Sequence, residues 1–192
     1  VIEKLLKKSK HRFEYIDLGG GMGISYNIKD KKLNFKKYNA AIKKFLKKNN
    51  YKIIFEPGRS IVGNIGYLLT KVIYIKENKG KNFIILDAAM NDLMRPALYG
   101  AKHRIVPVIK KSQISKKSYE FVGPICESTD KFITSKKFQK LNEKDFLVIC
   151  DVGAYGMSLS SNYNTRPKLP ELLIKGSNIK LINKRQKLKD LI

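Results

Sequence analysis

The chain has 192 residues, 43% of them hydrophobic, and its 40 basic and 16 acidic residues give a net charge of +24. The hydrophobic content excludes a generally disordered chain, and no apolar run is long enough to cross a bilayer, so we expect no membrane partner. Two cysteines form no disulfide framework, which is typical of a reducing cytosol, and with two distant histidines they offer no spacing for a metal site.

The positive charge suggests a nucleic-acid-binding module, which is the alternative from a different functional class. Only six of the 40 basic residues are arginine, the residue that most often reads bases and phosphates through paired hydrogen bonds. The lysines are scattered, and in residues 34–50 they fall between apolar residues with helical spacing, as expected of a solvated helix face. We therefore expect no nucleic-acid partner.

Residues 1–60 are predicted to alternate helices with strands. An amphipathic helix at residues 1–8 is followed by "EYIDLGGG", a buried strand that runs into a glycine turn. A second helix over residues 34–50, with Asn34 as its N-cap, precedes "YKIIFEPGR", a strand that ends in a Pro-Gly turn. This order is typical of a parallel α/β array, in which functional groups collect at the carboxyl ends of the strands.

From residue 61 the pattern changes to short β-rich runs with no long helix between them, which predicts a mainly antiparallel sandwich or Greek-key barrel. We therefore divide the chain into an α/β domain at 1–60 and a β domain at 61–192, whose tail is a strand and then a helix. The runs are "IGYLLTKVIYIK", "NFIILDA", "HRIVPVI", "SYEFVGPIC", "DFLVICDVGAYG" and, in the tail, "NIKLINKRQKLKDLI".

The two turns that end the predicted parallel strands could form a phosphate site. Gly19, Gly20 and Gly21 let backbone N–H groups approach an anion without interference from Cβ atoms. Glu56 and Arg59 stand in the second turn, "EPGRS". Neither turn matches the dinucleotide fingerprint or the Walker motif, and alone each is a weak indication.

Five motifs in a fixed order resemble the pyridoxal-phosphate-dependent diaminopimelate decarboxylases, which have an alanine-racemase-like barrel. They are "DLGGGMGISY", "FEPGRSIVGNIG", "DAAMNDLMRPALYGAKH", "GPICESTD" and "GAYGMSLSSNYNTRP". The resemblance implies the end of a cofactor-binding (β/α)8 barrel followed by a C-terminal antiparallel β domain. It also implies removal of CO₂ from meso-2,6-diaminopimelate to give L-lysine. A decarboxylase of ornithine or arginine is the alternative within enzymes.

The resemblance assigns cofactor-binding residues in both predicted domains. The glycine turn would bind the phosphate of pyridoxal 5′-phosphate, Glu56 would hold the pyridinium proton, and Arg59 would serve phosphate and substrate. Tyr155 would reach both cofactor and substrate. The complete set is Gly19, Gly20, Gly21, Glu56, Pro57, Gly58, Arg59 and Tyr155.

The resemblance also assigns residues that act on the substrate. Arg95 and Tyr99 match substrate-binding positions, and a guanidinium suits a carboxylate through two parallel hydrogen bonds. Cys126 matches the residue thought to donate a proton to the carbanion, and Glu127 one that binds the distal ammonium group. In such enzymes this pair reaches into the active site of a partner subunit, so we expect a cytoplasmic homodimer with shared sites.

A purely structural role is the alternative for several of these residues. Cys126 could be a small buried residue, Arg95 a surface salt-bridge residue, and Tyr99 and Tyr155 core aromatics with a tethered hydroxyl. Residues without an assigned catalytic role are Asp87, Asn91 and Asp92 as turn and strand-end residues, Cys150 in packing, and His103.

The chain departs from the family in small ways and in one large way. Thr129 and Leu159 stand where the family more often has glycine and methionine, and both are tolerable. In the family the cofactor-bearing lysine lies on the first barrel strand, upstream of the glycine turn, and no lysine here has that context. The histidine that stacks on the cofactor is missing too. Only the last two barrel strands are recognisable, so we expect residues 1–192 alone to be poorly folded and inactive.

Overall fold

The computed structural model describes residues 2–26, 32–78 and 80–191. Val1 and Ile192, which the predicted terminal helices include, lie outside these ranges. The described residues divide into two compact units. Unit 1 holds residues 2–25 and 32–61, and unit 2 holds Tyr26 together with the described residues from 62 onward.

Unit 1 has the α/β order that the sequence predicts, with the two strands paired in parallel and Ile16 opposite Ile53. The Asn34 side chain accepts a hydrogen bond from the Lys37 backbone N–H at 3.0 Å, as expected of an N-cap. Its elements are α1 (Ile2–Lys8), β1 (Tyr15–Asp17), α2 (Phe35–Leu46), β2 (Lys52–Ile54) and α3 (Gly58–Val62), the last residue of which belongs to unit 2.

Helix α2 ends four residues earlier than residue 50, where the sequence predicts its end. The Asn49 side-chain amide donates to the Phe45 backbone oxygen at 3.0 Å and so satisfies a carbonyl that a further turn of helix would have used. Asparagine competes with helical hydrogen bonds in this way, which explains the early stop.

Unit 1 has almost no core of its own. Of its described apolar residues, only Ile16 is buried, and helices α1 and α2 contain no buried residue. Large side chains such as Phe35 and Leu5 are more than 60% exposed. A two-stranded sheet with an uncovered apolar face lacks the burial that independent stability requires.

Unit 2 is built on a six-stranded sheet in the order β5-β8-β3-β4-β6-β7. All its strand pairs are antiparallel except β4 and β6, which run parallel. A separate hairpin joins β9 and β10. The strands are β3 (Tyr67–Asn78), β4 (Lys81–Leu86), β5 (Ile105–Pro107), β6 (Tyr119–Val122), β7 (Lys131–Ser135), β8 (Phe146–Cys150), β9 (Glu171–Lys175) and β10 (Asn178–Asn183), and the α-helix α4 (Arg95–Tyr99) lies between β4 and β5.

One face of the six-stranded sheet carries the hydrophobic core of unit 2. Phe121 is completely buried and packs edge-on against Tyr119 and Phe138, with ring centroids 6.0 and 5.1 Å away. The core residues are Val72, Ile84, Leu86, Ala88, Leu93, Ile105, Tyr119, Phe121, Phe132, Leu141, Leu147 and Ile149.

The predicted fold class, an α/β segment followed by a mainly antiparallel β domain, is confirmed. Strands β7 and β9 were not predicted, and the predicted C-terminal helix is only a 3₁₀ turn at Leu188–Asp190. None of the helices that the structure describes is both long and apolar enough to span a membrane.

Candidate active site

In unit 1 the glycine turn after β1 needs glycine at three successive positions. Gly19 and Gly21 have φ angles of 65° and 75°, in the left-handed region that favours glycine. A Cβ atom on Gly20 would overlap the backbone oxygen of Glu56. The Asp17 carboxylate accepts a hydrogen bond from the Gly19 N–H at 2.7 Å and fixes the start of the turn.

The turn after β2 is hydrogen-bonded to the glycine turn. The Glu56 N–H donates to the Gly19 oxygen at 2.9 Å, and the Gly58 N–H donates to the Glu56 oxygen at 2.9 Å. The Pro57 oxygen accepts from the Ser60 hydroxyl at 2.8 Å, where α3 begins, and Arg59 lies in the first turn of that helix. The parallel strands thus bring the two predicted turns together at their carboxyl ends.

The two turns, at residues 19–21 and 56–59, together form a concave site, the phosphate cup, whose groups fit a phosphate. In the part of unit 1 that the structure describes, the backbone N–H groups of Gly20 and Gly21 have no acceptor, and both residues are exposed. Backbone N–H groups on a left-handed turn form an anion-binding concavity, and Arg59 adds a positive charge to the same turn pair. The exposed Glu56 carboxylate can accept a hydrogen bond from a protonated heterocyclic nitrogen.

In unit 2 the Arg95 guanidinium is buried among neutral partners. Arg95 is 6% exposed. Its Nη1 donates to the Tyr26 hydroxyl at 2.6 Å and to His103 Nε2 at 3.1 Å, and the guanidinium lies 4.9 Å from the Tyr26 ring centroid. None of the ion pairs among the described residues involves Arg95. The alternative interpretation of Arg95 as a surface salt-bridge residue is therefore wrong.

The edge of the guanidinium formed by Nε and Nη2 is available to a ligand. Neither nitrogen has an acceptor among the described residues, and no described side-chain nitrogen or oxygen is both fully buried and unpaired. These two nitrogens therefore reach solvent. A buried cation without a counterion is costly, and a carboxylate bound to this edge through two parallel hydrogen bonds would remove that cost.

Two exposed tyrosines accompany Arg95. Tyr99 ends α4 and is 67% exposed, and Tyr155 is 46% exposed, so neither is a core aromatic. Tyr155 has a φ angle of 64°, an unusual value for a bulky residue. Its ring centroid lies 6.0 Å from the Arg95 guanidinium. Backbone strain at such a position is typical of functional sites.

The segment with Cys126 and Glu127 is an exposed loop on a buried anchor. Asp130, 3% exposed, accepts hydrogen bonds from the Ile125 N–H at 2.9 Å and the Met90 N–H at 2.7 Å. Gly123 is required here, since a Cβ atom would overlap the Asp130 carboxylate. Burial raises the pKa of Asp130, although the two N–H donors favour its ionised form.

Cys126 is exposed, which excludes the alternative that it is a small buried residue. The neighbouring Glu127 has a lowered pKa because the Thr129 backbone N–H and the Ser128 hydroxyl donate to its carboxylate. An ionised carboxylate therefore stands beside an accessible thiol at neutral pH. Cys150, in contrast, is buried, and burial raises its pKa, in agreement with the predicted packing role.

Several supporting residues were missed in the sequence. Arg166 donates from Nε to the Asn91 side chain at 2.9 Å and from Nη2 to the Asp87 oxygen at 2.6 Å. It thereby fixes the segment before α4, in which Asp87, Asn91 and Asp92 have the structural roles predicted for them. Arg166 and Asp130 are long-range partners of that segment, and their presence in the motifs "GAYGMSLSSNYNTRP" and "GPICESTD" is the local signal that could have pointed to them.

Comparison with known proteins agrees with these assignments of fold. The family described as "Pyridoxal-dependent decarboxylase, C-terminal sheet domain" matches residues 13–153. The diaminopimelate decarboxylase of Zymomonas mobilis is 43% identical over 188 residues, which are 97% of this chain and 44% of that protein. That of Aquifex aeolicus is 42% identical over 173 residues, which are 90% of this chain and 41% of that protein.

Solved structures of decarboxylases have the same fold as this chain. The crystal structure of diaminopimelate decarboxylase from Helicobacter pylori complexed with L-lysine is 42% identical, with a TM-score of 0.88 over 99% of this chain and 46% of that one. The arginine decarboxylase of Paramecium bursaria Chlorella virus, 19% identical with a TM-score of 0.69 over 81% of this chain and 43% of that one, shares the fold. The chain spans less than half the length of the curated relatives it matches.

Proposed function

Because the chain belongs to the pyridoxal-dependent decarboxylases, whose C-terminal sheet domain it matches, we propose that it is the C-terminal part of a diaminopimelate decarboxylase. The complete enzyme, meaning this chain with the rest of the barrel, would convert meso-2,6-diaminopimelate to L-lysine and CO₂. The observation that carries this proposal is the buried Arg95 guanidinium, whose Nε and Nη2 atoms have no acceptor among the described residues.

The residues of unit 1 would hold pyridoxal 5′-phosphate. The N–H groups of Gly20 and Gly21 would donate to the phosphate, and Arg59 would add charge to the same cup. Glu56 would accept a hydrogen bond from the pyridinium nitrogen and keep it protonated. When bound, the cofactor supplies an electron sink for the charge left on carbon after CO₂ departs.

The residues of unit 2 would select the substrate by its charges. Arg95 would bind a carboxylate through its free edge, with Tyr99 and Tyr155 beside the bound molecule. Glu127, whose carboxylate is ionised at neutral pH, would bind the distal ammonium group. Diaminopimelate carries both charges at its distal end, whereas ornithine has no distal carboxylate, and this difference favours diaminopimelate.

Cys126 would supply the proton that replaces CO₂. Its side chain is exposed on a loop whose backbone is fixed by Asp130, so the thiol can be presented in a constant position. We further propose a cytoplasmic homodimer in which Cys126 and Glu127 of one subunit complete the active site of the other.

Substrate specificity in the complete enzyme tests this function. CO₂ release should be observed with meso-diaminopimelate and should be far lower with ornithine or arginine. Arg95→Gln removes the guanidinium and should raise KM for diaminopimelate on the order of 10²-fold. Arg185→Gln makes the same change at an exposed arginine of unit 2 and should leave KM unchanged.

Two results would contradict the proposal. Preference for ornithine or arginine would show that a distal carboxylate is not recognised. An unchanged KM in Arg95→Gln would show that this guanidinium does not bind the substrate.

A further inference from the structure

His103 has a tautomer that its two partners determine. The ring is 1% exposed, and Nδ1 lies 3.0 Å from the Cys150 backbone oxygen, which can only accept a hydrogen bond. Nδ1 must therefore carry the hydrogen. Nε2 lies 3.1 Å from Arg95 Nη1, which can only donate, so Nε2 must carry a lone pair. His103 is thus a neutral imidazole that donates to β8 and accepts from Arg95.

This arrangement uses both hydrogens of Arg95 Nη1. One points to His103 Nε2 and the other to the Tyr26 hydroxyl at 2.6 Å. Because the guanidinium is planar and rigid, fixing Nη1 in two directions also fixes the direction of the Nε–Nη2 edge. His103 itself is held by the Cys150 oxygen and by edge-on contact with the Tyr26 ring, whose centroid is 5.0 Å away.

We propose that His103 is a positioning residue that orients Arg95, so that the Nε–Nη2 edge faces the substrate carboxylate. This inference rests on the proposed function, in which Arg95 binds that carboxylate. His103 would not touch the substrate, and its contribution would come from holding the guanidinium before the substrate arrives. A preoriented guanidinium loses less conformational freedom when it binds.

The arrangement should also make substrate binding sensitive to acid. Protonation would turn Nε2 from an acceptor into a donor, so that it could no longer accept the hydrogen bond from Arg95 Nη1. It would also place a second positive charge beside the guanidinium. The groups that face His103 are Arg95 from α4, Tyr26, and the Cys150 carbonyl and nearby Asp151 at the end of β8. Burial and the Arg95 charge lower the pKa of His103, against the raising effects of Cys150 and Asp151. KM should therefore rise only below the ordinary histidine pKa of about 6.5.

A matched pair of variants of the complete enzyme tests the proposal. In His103→Gln, the longer side chain can place an amide oxygen near the position of Nε2 and still accept from Arg95. In His103→Asn, the shorter side chain can donate to the Cys150 oxygen but does not reach Arg95. We expect His103→Asn to raise KM for diaminopimelate roughly tenfold or more, as for loss of a hydrogen bond to a charged group. His103→Gln should stay within about threefold of the wild type.

The outcomes separate this inference from the proposed function. Equal KM values in the two variants, with cofactor absorbance retained, would overturn the role of His103. An acid rise in KM that persists unchanged in His103→Gln would overturn it as well. If Arg95→Gln raises KM while His103→Asn does not, only the positioning role fails. If Arg95→Gln has no effect, the proposed function fails first.

Discussion

Cys126 is the residue whose proposed role depends most on its surroundings. A thiol that donates a proton to carbon must be accessible and held in place, and the exposed side chain and the Asp130 anchor provide both conditions. In the complete enzyme, Cys126→Ala should lower kcat by about 10²–10⁴-fold, the usual effect of losing a positioned general acid. Cofactor absorbance should remain, because Cys126 makes no part of the proposed phosphate cup. Steady-state CO₂ release and an absorbance spectrum measure the two effects.

Mixed dimers show where Cys126 acts. Cys126→Ala and Arg59→Ala subunits should each be nearly inactive as homodimers. If the sites are shared, a random mixture should recover roughly one quarter of wild-type activity, because about half of the dimers are mixed and each mixed dimer has one intact site. With sharing, one site of the mixed dimer carries both changes and the other carries neither. Without sharing, each site carries one change, and no recovery is expected. Wild-type kcat in Cys126→Ala would show that the exposed thiol has no catalytic role.

For single residues, the sequence predicts which residues form the candidate site better than it predicts their burial and their hydrogen-bond partners. The motif around Cys126 could be recognised from eight letters, but the hydrogen bond from Met90 to Asp130, which anchors its loop, comes from a distant segment. Composition also could not show that Arg95 is buried among neutral groups, since its partners Tyr26 and His103 come from separate parts of the chain. These environments arise from long-range contacts, and no local pattern encodes them.

Among the elements, the parallel α/β order of unit 1 was predictable because each strand is a short apolar run that ends in a turn. Strand β7 was harder to predict, since "KFITS" is flanked by polar residues and gains its pairing only from β6. The parallel pairing of β4 with β6 was also not predictable, because the two strands are separated by α4 and β5. Pairing of this kind is set by the shared core rather than by either strand alone.

Three strands of unit 2 are linked by one carboxylate. Glu120 in β6 forms ion pairs with Lys131 in β7 at 3.0 Å and with Lys81 in β4 at 3.1 Å. The Glu120 side chain is 11% exposed, while both lysines are about half exposed, so solvent weakens the attraction. Hydrogen bonding to Lys131, and then to Lys81, lowers the pKa of Glu120 despite the opposing effect of burial.

Glu120→Gln should therefore destabilise the protein in a pH-dependent way. Since the folded-state pKa lies below the unfolded value, the stabilisation is present above the unfolded pKa and is lost as pH falls through the folded one. We expect a loss of about 1 kcal/mol at pH 7 and a much smaller difference near pH 3. Thermal unfolding midpoints of the complete enzyme across this range provide the measurement.

Glu77→Gln is the matched control for this prediction. It breaks the pair between Glu77 and Lys117, in which both side chains are about half exposed, and should change the midpoint very little. A loss in Glu120→Gln that does not diminish in acid would mean that the change acts through packing rather than charge.

For the whole molecule, the two units differ in how much of their own stability they can supply. Unit 2 has a contiguous core that includes fully buried Phe121, Leu147 and Ile149. Unit 1 buries only Ile16 among its described apolar residues, and its two-stranded parallel sheet has unpaired edges. Such a sheet needs further strands and helices against its faces. The net charge of +24 cannot supply the missing core.

Residues 1–192 expressed alone should therefore be unevenly folded and inactive. Hydrogen exchange should be fast at the amides of β1 and β2 and slow in the central strands β3 and β8, because local stability follows buried contacts. With pyridoxal 5′-phosphate added, the chain alone should release no CO₂ from diaminopimelate. Supplying the rest of the barrel, in the same chain or by co-expression, should slow exchange in β1 and β2 and restore activity, while exchange in β3 and β8 serves as the internal control. If the isolated chain protects β1 as well as β3, then unit 1 is stable without further strands. If it turns over diaminopimelate unaided, then the cofactor-bearing lysine lies within residues 1–192.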